Sequence, residues 1–202
     1  MKRLGCLAVL LAACGGGSGD DAPLDPDGPA ATDGPAPDTQ PPDGPAGVFA
    51  VMSTAFAEGA TIPMEHTCNG NNTSPPLAWS GALPAGTLSF AMVLTDKSNN
   101  LIHTVIYDIP AGRMDLPADV DRAVFEPADV PGAKQTKSFN NGPLGYRGPC
   151  PPNLHTYEFA IIALDVANLL NLDANSTTIQ GNAQIQMHDL AKVTLTGTYD
   201  QP

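Results

Sequence analysis

The sequence predicts a mainly β domain over residues 48–202, a sandwich or partly closed barrel with one or two short helices. Three observations predict it. Short apolar runs rich in branched residues recur along this stretch, helical periodicity is scarce, and the segments between are long and rich in proline, glycine and asparagine. About 155 residues suffice for one sizeable core.

Before that domain the chain reads differently. Lys2 and Arg3 precede an apolar run from Leu4 to Ala12, too short to span a bilayer as a helix, which takes about 20 residues. It fits the apolar centre of a secretory signal over residues 1–13. The run ends in Leu11-Ala12-Ala13-Cys14, which resembles the lipobox of bacterial lipoproteins. That resemblance implies cleavage before Cys14 and lipidation of Cys14, and so an exported chain held at a membrane. Residues 14–47 then repeat Asp-Gly-Pro-Ala at Asp27–Ala30, Asp33–Ala36 and Asp43–Ala46, with no lysine or arginine. So little apolar surface cannot offset chain entropy, and the expectation is a disordered tether. A coil of about 33 residues reaches roughly 30 Å on average.

The strands follow in order. Val48 to Met52 opens the domain. Leu88 to Thr95 and Leu101 to Ile109 read as central strands joined by the loop Asp96-Lys97-Ser98-Asn99-Asn100, and Tyr157 to Leu164 is a third apolar run. Lys192 to Tyr199 alternates strictly, so Val193, Leu195 and Gly197 face inward. The best helical segment is Asn182 to Lys192, with a single turn at Val166 to Leu170. The stretches 59–87, 110–135 and 138–154 read as long loops, which in a small domain are usually functional.

Charge excludes some functions. The chain carries a formal net charge of −12, and within 48–202 acidic side chains outnumber basic ones two to one. Nucleic acid is excluded as a partner, because phosphate neutralisation by clustered cations supplies most of that affinity. Any anion must be held locally, in a pocket. Cys6 leaves with the signal, so Cys68 and Cys150 remain in a compartment where disulfides persist. A bridge between them is expected to contribute at most ~4–5 kcal/mol; two buried thiols or half of a metal site are the alternatives.

Four polar segments carry candidate chemistry: Thr67 to Trp79, Thr95-Asp96 leading to His103, Gly145 to Pro152, and His155-Thr156-Tyr157. Their order and content, with Asn72-Thr73-Ser74-Pro75-Pro76-Leu77-Ala78-Trp79 and Gly148-Pro149-Cys150-Pro151-Pro152, resemble the phosphatidylethanolamine-binding protein family, in particular its bacterial Raf-kinase-inhibitor-like branch. The likeness runs from about residue 48 to 199. It implies two stacked antiparallel sheets with a shallow pocket at one end that accepts phosphate-like anions or phospholipid head groups. Carried over residue by residue, the pocket is Asp96, His103, Gly148, Pro149, Pro151, Pro152, His155 and Tyr157, with no metal or other cofactor. A small anion needs several convergent donors in a preformed cavity. Asp96 beside a histidine is expected to fix its tautomer and favour the doubly protonated ring.

This chain departs from the family pattern in three places. Lys97 and Ser98 replace the second carboxylate and the prolines of the Asp-Pro-Asp-x-Pro loop, Thr104 stands for the tryptophan after the strand histidine, and Thr156 replaces the arginine of His-Arg-Tyr. Loss of one acid, one aromatic wall and one cation implies a changed ligand preference. Trp79 reads as core, and His66 and His188 read as surface or capping residues.

Two other classes of function compete with binding. A hydrolase would use Asp96 and His103 with Ser98 or Cys150 as nucleophile, but neither Gly-x-Ser-x-Gly nor His-Glu-x-x-His occurs. A zinc site would draw on Cys68, Cys150, His155 and His66, without the usual close ligand pairs. Within the binding class, the loops could instead inhibit a protease or kinase.

Overall fold

The computed structural model describes residues 47–202. The signal over 1–13, the lipidation site Cys14 and the tether as far as residue 46 lie outside them.

Two antiparallel sheets organise the domain. The larger has the spatial order β6-β4-β3-β7-β8, built from β3 (Ser89–Asp96), β4 (Leu101–Pro110), β6 (Lys134–Gln135), β7 (His155–Leu164) and β8 (Asp189–Tyr199). The smaller joins β1 (Ala50–Met52), β2 (Leu77–Ser80) and β5 (Asp115–Leu116) in the order β1-β2-β5. Alternation along the central strands separates two faces. Phe90, Met92 and Leu94 of β3 and Tyr157, Phe159 and Ile161 of β7 meet Leu77, Trp79 and Leu116 of the small sheet in the principal core. Ala91, Val93, Ala160 and Ile162 point the other way, under Leu169 and Ile185. Both faces of the large sheet are therefore covered, which explains why its strands read as continuous apolar runs rather than alternating ones.

Strand positions agree closely with the sequence, and the inward facing of Leu195 and Gly197 is confirmed. A side chain at Gly197 would meet Ile62 and Phe56 at 2.6 and 2.9 Å. Three corrections concern the remaining elements. The helix α1 spans Thr178–Ile185 rather than 182–192. Its start is set by a reciprocal pair in which the Thr177 hydroxyl accepts from the Gln180 amide and the Gln180 side chain accepts from the Thr177 amide. Residues from Asp189 onward instead extend β8 along β7. Val166 to Leu170 forms no helical turn; its backbone is drawn to Asp108, whose carboxylate accepts from the Leu169 amide at 2.8 Å. The supposed loops hold β2, β5, β6 and a 3₁₀ turn over Met64–His66. Pro75 and Pro76 directly precede β2 and mask a four-residue strand whose Leu77 and Trp79 are buried.

Candidate functional site

The polar candidates gather where β3 ends, β4 begins and β7 begins. Asp96 continues the inward phase of Phe90, Met92 and Leu94, and pairs across the ladder with Tyr157. His155 lies two residues before Tyr157 and so shares its face. The Asp96 carboxylate is almost wholly buried and accepts from His155 Nδ1 at 2.6 Å through Oδ2, while its Oδ1 accepts from the Ser98 amide at 2.9 Å.

His103 reaches the same place by a different device. The β3–β4 register passes from Leu94–Thr104 to Thr95–Ile102, leaving His103 as the extra residue of a β-bulge. Such bulges re-aim side chains. Here His103 turns inward and Ile102 packs on the opposite face. Its ring meets Tyr157 edge-on at 5.5 Å and Phe139 at 4.7 Å, and the Tyr157 ring in turn lies 6.4 Å from that of His155. The imidazoles thus converge on one tyrosine, from two strands of one sheet.

The 145–152 segment closes the site from above. His103 Nδ1 donates to the Arg147 carbonyl at 3.2 Å, and the Arg147 amide donates to Thr104 Oγ1 at 2.9 Å. Gly148 is there for steric reasons: a side chain would strike the His66 carbonyl and come within 2.9 Å of the Tyr146 hydroxyl. Its amide donates to Asn72 Oδ1 at 2.8 Å. Pro149 and Pro151 are buried, and the Pro149 carbonyl accepts from the Cys68 amide at 3.0 Å. Pro152 is exposed. Cys68 and Cys150 are joined as a disulfide, their Cα atoms 5.3 Å apart, and the Cys150 amide faces the Tyr157 hydroxyl.

Electrostatics corrects one expectation. Burial pushes the His103 pKa down, against the opposing pull of the Arg147 carbonyl and the Asp96 charge. A neutral ring donating through Nδ1 keeps Nε2 as an acceptor. His103 is therefore not the doubly protonated ring expected from Asp96, whose direct partner is His155. Burial first, and then the Asp96 charge, push the Tyr157 phenol up, so it stays protonated.

The replaced family positions have local roles. Ser98 Oγ accepts from the Thr156 amide at 3.1 Å and the Lys97 amide donates to the Thr156 carbonyl at 2.8 Å, which ties the loop down without proline. Thr104 anchors the 145–152 segment. Phe139, missed in the sequence because it sits alone between Ser138 and Asn140, supplies the aromatic wall. The Arg147 guanidinium carbon lies 3.9 Å from the centre of the Phe139 ring. His66, which the sequence suggests as a surface or capping residue, ends the 3₁₀ turn and is buried, its Nδ1 donating to the Thr73 carbonyl at 2.9 Å. His188 pairs with Asp165 at 2.8 Å near the surface.

A small two-sheet β domain with a carboxylate–imidazole pair and a second, buried imidazole at one end defines the class. The family model for phosphatidylethanolamine-binding protein matches residues 52–200, and the chain belongs to that family. A Mycobacterium tuberculosis relative named "Putative lipoprotein LppC" is 32% identical over 204 residues, 96% of this chain and 92% of the relative. The crystal structure of Escherichia coli YbcL, titled a new member of the mammalian PEBP family, superposes with a TM-score of 0.68 at 30% identity, over 76% of this chain and 99% of YbcL. The crystal structure of a "Putative PhosphatidylEthanolamine-Binding Protein (PEBP) Homolog" from Chlamydia trachomatis gives a TM-score of 0.63 at 28% identity, over 78% and 100% of the two chains.

Proposed function

We propose that this protein is an exported, membrane-tethered binding protein whose sandwich-end site seats a small phosphate-like anion or a phospholipid head group, and that it acts by binding rather than by catalysis. The observation that carries this reading is the convergence of His155, held by Asp96, and His103, held by the Arg147 carbonyl, on Tyr157. Each ring has one nitrogen committed to the protein, so Nε2 is the nitrogen left for a ligand. His155 Nε2 donates when that ring is charged, whereas neutral His103 accepts. The complementary ligand carries both an acceptor and a proton to donate. A monohydrogen phosphate ester or an ethanolamine phosphate group has both.

Two of the side chains considered for a hydrolase, Ser98 and Cys150, have partners within the fold. Ser98 Oγ accepts a backbone hydrogen bond, and Cys150 is in a disulfide, so it offers no thiolate. The lipobox-like Leu11-Ala12-Ala13-Cys14 and the lipoprotein name of one relative support the membrane tether. Replacing Cys14 with serine is expected to move the protein from the membrane to the soluble fraction.

The binding test is a titration with inorganic phosphate and O-phosphorylethanolamine, followed by ring nitrogen NMR of the histidines. Saturable shifts at His103 and His155, lost in His155→Asn, are expected. Rings that stay unchanged at saturating anion would refute the pocket.

A further inference from the structure

The basic side chains of residues 48–202 divide unevenly. Lys97 and Lys192 pair with Glu158, Arg113 with Asp115 and Lys134 with Asp108. Among the described residues Arg122, Lys137 and Arg147 have no carboxylate within salt-bridge distance. Two of these three, Arg122 and Arg147, line one cavity of about 430 Å³, together with Asn72, Ser138, Leu144 and Tyr146. In an acidic domain, two arginines lining one space without a carboxylate concentrate positive charge there.

The lining is also one-sided in its hydrogen bonding. Arg147 is held in place over Phe139, with Nη1 donating to the Phe139 carbonyl at 3.3 Å. Asn72 is fixed with φ at 57°, its Oδ1 taken by the Gly148 amide, so its NH₂ group remains to donate. The Tyr146 hydroxyl is taken by the His66 carbonyl. Beside the cavity, the Ser138 hydroxyl is buried without a partner in the protein. A side chain on Gly142 would strike that hydroxyl and come within 3.1 Å of Arg147 Nη1, so this glycine keeps the space open. Donors prevail and no carboxylate lines the cavity, which selects a ligand rich in acceptors. The guanidinium fork matches phosphate oxygens in pairs.

We infer that this cavity is a second anion site, separate from the histidine site, and that it takes a phosphate monoester. Its volume exceeds what inorganic phosphate fills and falls within the range of small-molecule pockets, roughly 300–1,000 Å³. The ester group is the same on a soluble phosphate monoester and on phosphatidic acid. Vesicles and a soluble ester therefore form separate arms of the test.

In the first arm, glycerol 3-phosphate is titrated into the full chain and backbone amide shifts are followed. Saturable shifts at Ser138, Gly142 and Arg147 are expected. Arg122→Gln weakens them about tenfold, and Arg122→Lys, which keeps the charge but not the fork, falls between. Arg122 is exposed and pairs with no carboxylate, so both variants keep the wild-type melting temperature. His155→Asn leaves these shifts in place, which separates this site from the histidine site. In the second arm, phosphatidylcholine vesicles with and without phosphatidic acid are sedimented with a Cys14→Ser chain, wild type or Arg122→Gln at position 122. Arg122-dependent binding in either arm supports the site and tells its source. An unchanged titration in Arg122→Gln, shifts that vanish in His155→Asn, or binding in neither arm overturns it.

Discussion

Asp96 Oδ2 and His155 Nδ1 lie 2.6 Å apart, one at the end of β3 and the other at the start of β7, with the carboxylate buried and the imidazole partly exposed. The pair joins two neighbouring strands where their ladder ends, and it fixes which nitrogen of His155 faces outward.

Removal of that carboxylate costs both structure and binding. Asp96→Ala leaves His155 Nδ1 and the Ser98 amide without their acceptor, and a loss of about 2–3 kcal/mol is expected. Urea denaturation at neutral pH measures it. The same variant is expected to bind phosphate at least tenfold more weakly by calorimetry, because the ring is no longer oriented. Full retention of affinity would show that His155 needs no orienting partner.

Acid should destabilise the domain through His103. Its folded pKa is depressed by burial, so the unfolded chain takes up the proton first as pH falls through the ordinary value of 6.5. Stability present above that pH is lost below it, at no more than about 1.4 kcal/mol per pH unit for one proton. The loss ends once the pH falls below the depressed folded pKa. His103→Gln is expected to flatten the wild-type curve between pH 7 and pH 5 by this contribution, read as the difference in urea-unfolding free energy.

Glycine at 148 tests the steric reading of the segment above the site. Gly148→Ala places a methyl group against the His66 carbonyl and the Tyr146 hydroxyl, and about 2 kcal/mol or more of destabilisation is expected. Gly112→Ala is the control, since nothing lies within 4 Å of its added carbon; it should fall within about 0.5 kcal/mol of wild type. Thermal melts of the two variants side by side give the comparison.

The Cys68–Cys150 bridge spans 82 residues. Chain-entropy reasoning for a loop of that length sets an upper limit near 4.5 kcal/mol. Reduction should release two thiols and lower the melting temperature. Cys68→Ser/Cys150→Ser should match the reduced protein. Because the Pro149 carbonyl accepts from the Cys68 amide beside the bridge, the double variant should also weaken phosphate binding by loosening the 145–152 segment.

Much of the large sheet was legible. Branched apolar runs of eight or nine residues have few alternatives to a central strand, and β3, β4 and β7 lie close to where those runs fall, while strict alternation marked the edge strand β8. The short strands were not legible. β2, β5 and β6 hold between two and four residues each, too few for periodicity to register, and they exist because a partner strand is already in place. The helix lies upstream of where its few apolar residues point; its start is written in the Thr177–Gln180 capping pair instead.

At the site, the family resemblance pointed to Asp96, His103, Gly148, His155 and Tyr157, and these five lie close together in the fold. Which histidine the carboxylate holds was beyond the sequence. That choice follows from the ladder, which sets Asp96 opposite Tyr157 and hence beside His155, and from the bulge that turns His103 inward under the Arg147 carbonyl. The Arg122–Arg147 cavity was likewise invisible, being made by residues far apart in the chain, and Phe139 stood alone without a motif around it. The sequence by itself determined the chemical groups and the strands that carry them, because those depend on side-chain type and local period. Partnership, protonation and burial were decided only by tertiary structure, because each depends on which distant groups share the same low-dielectric space.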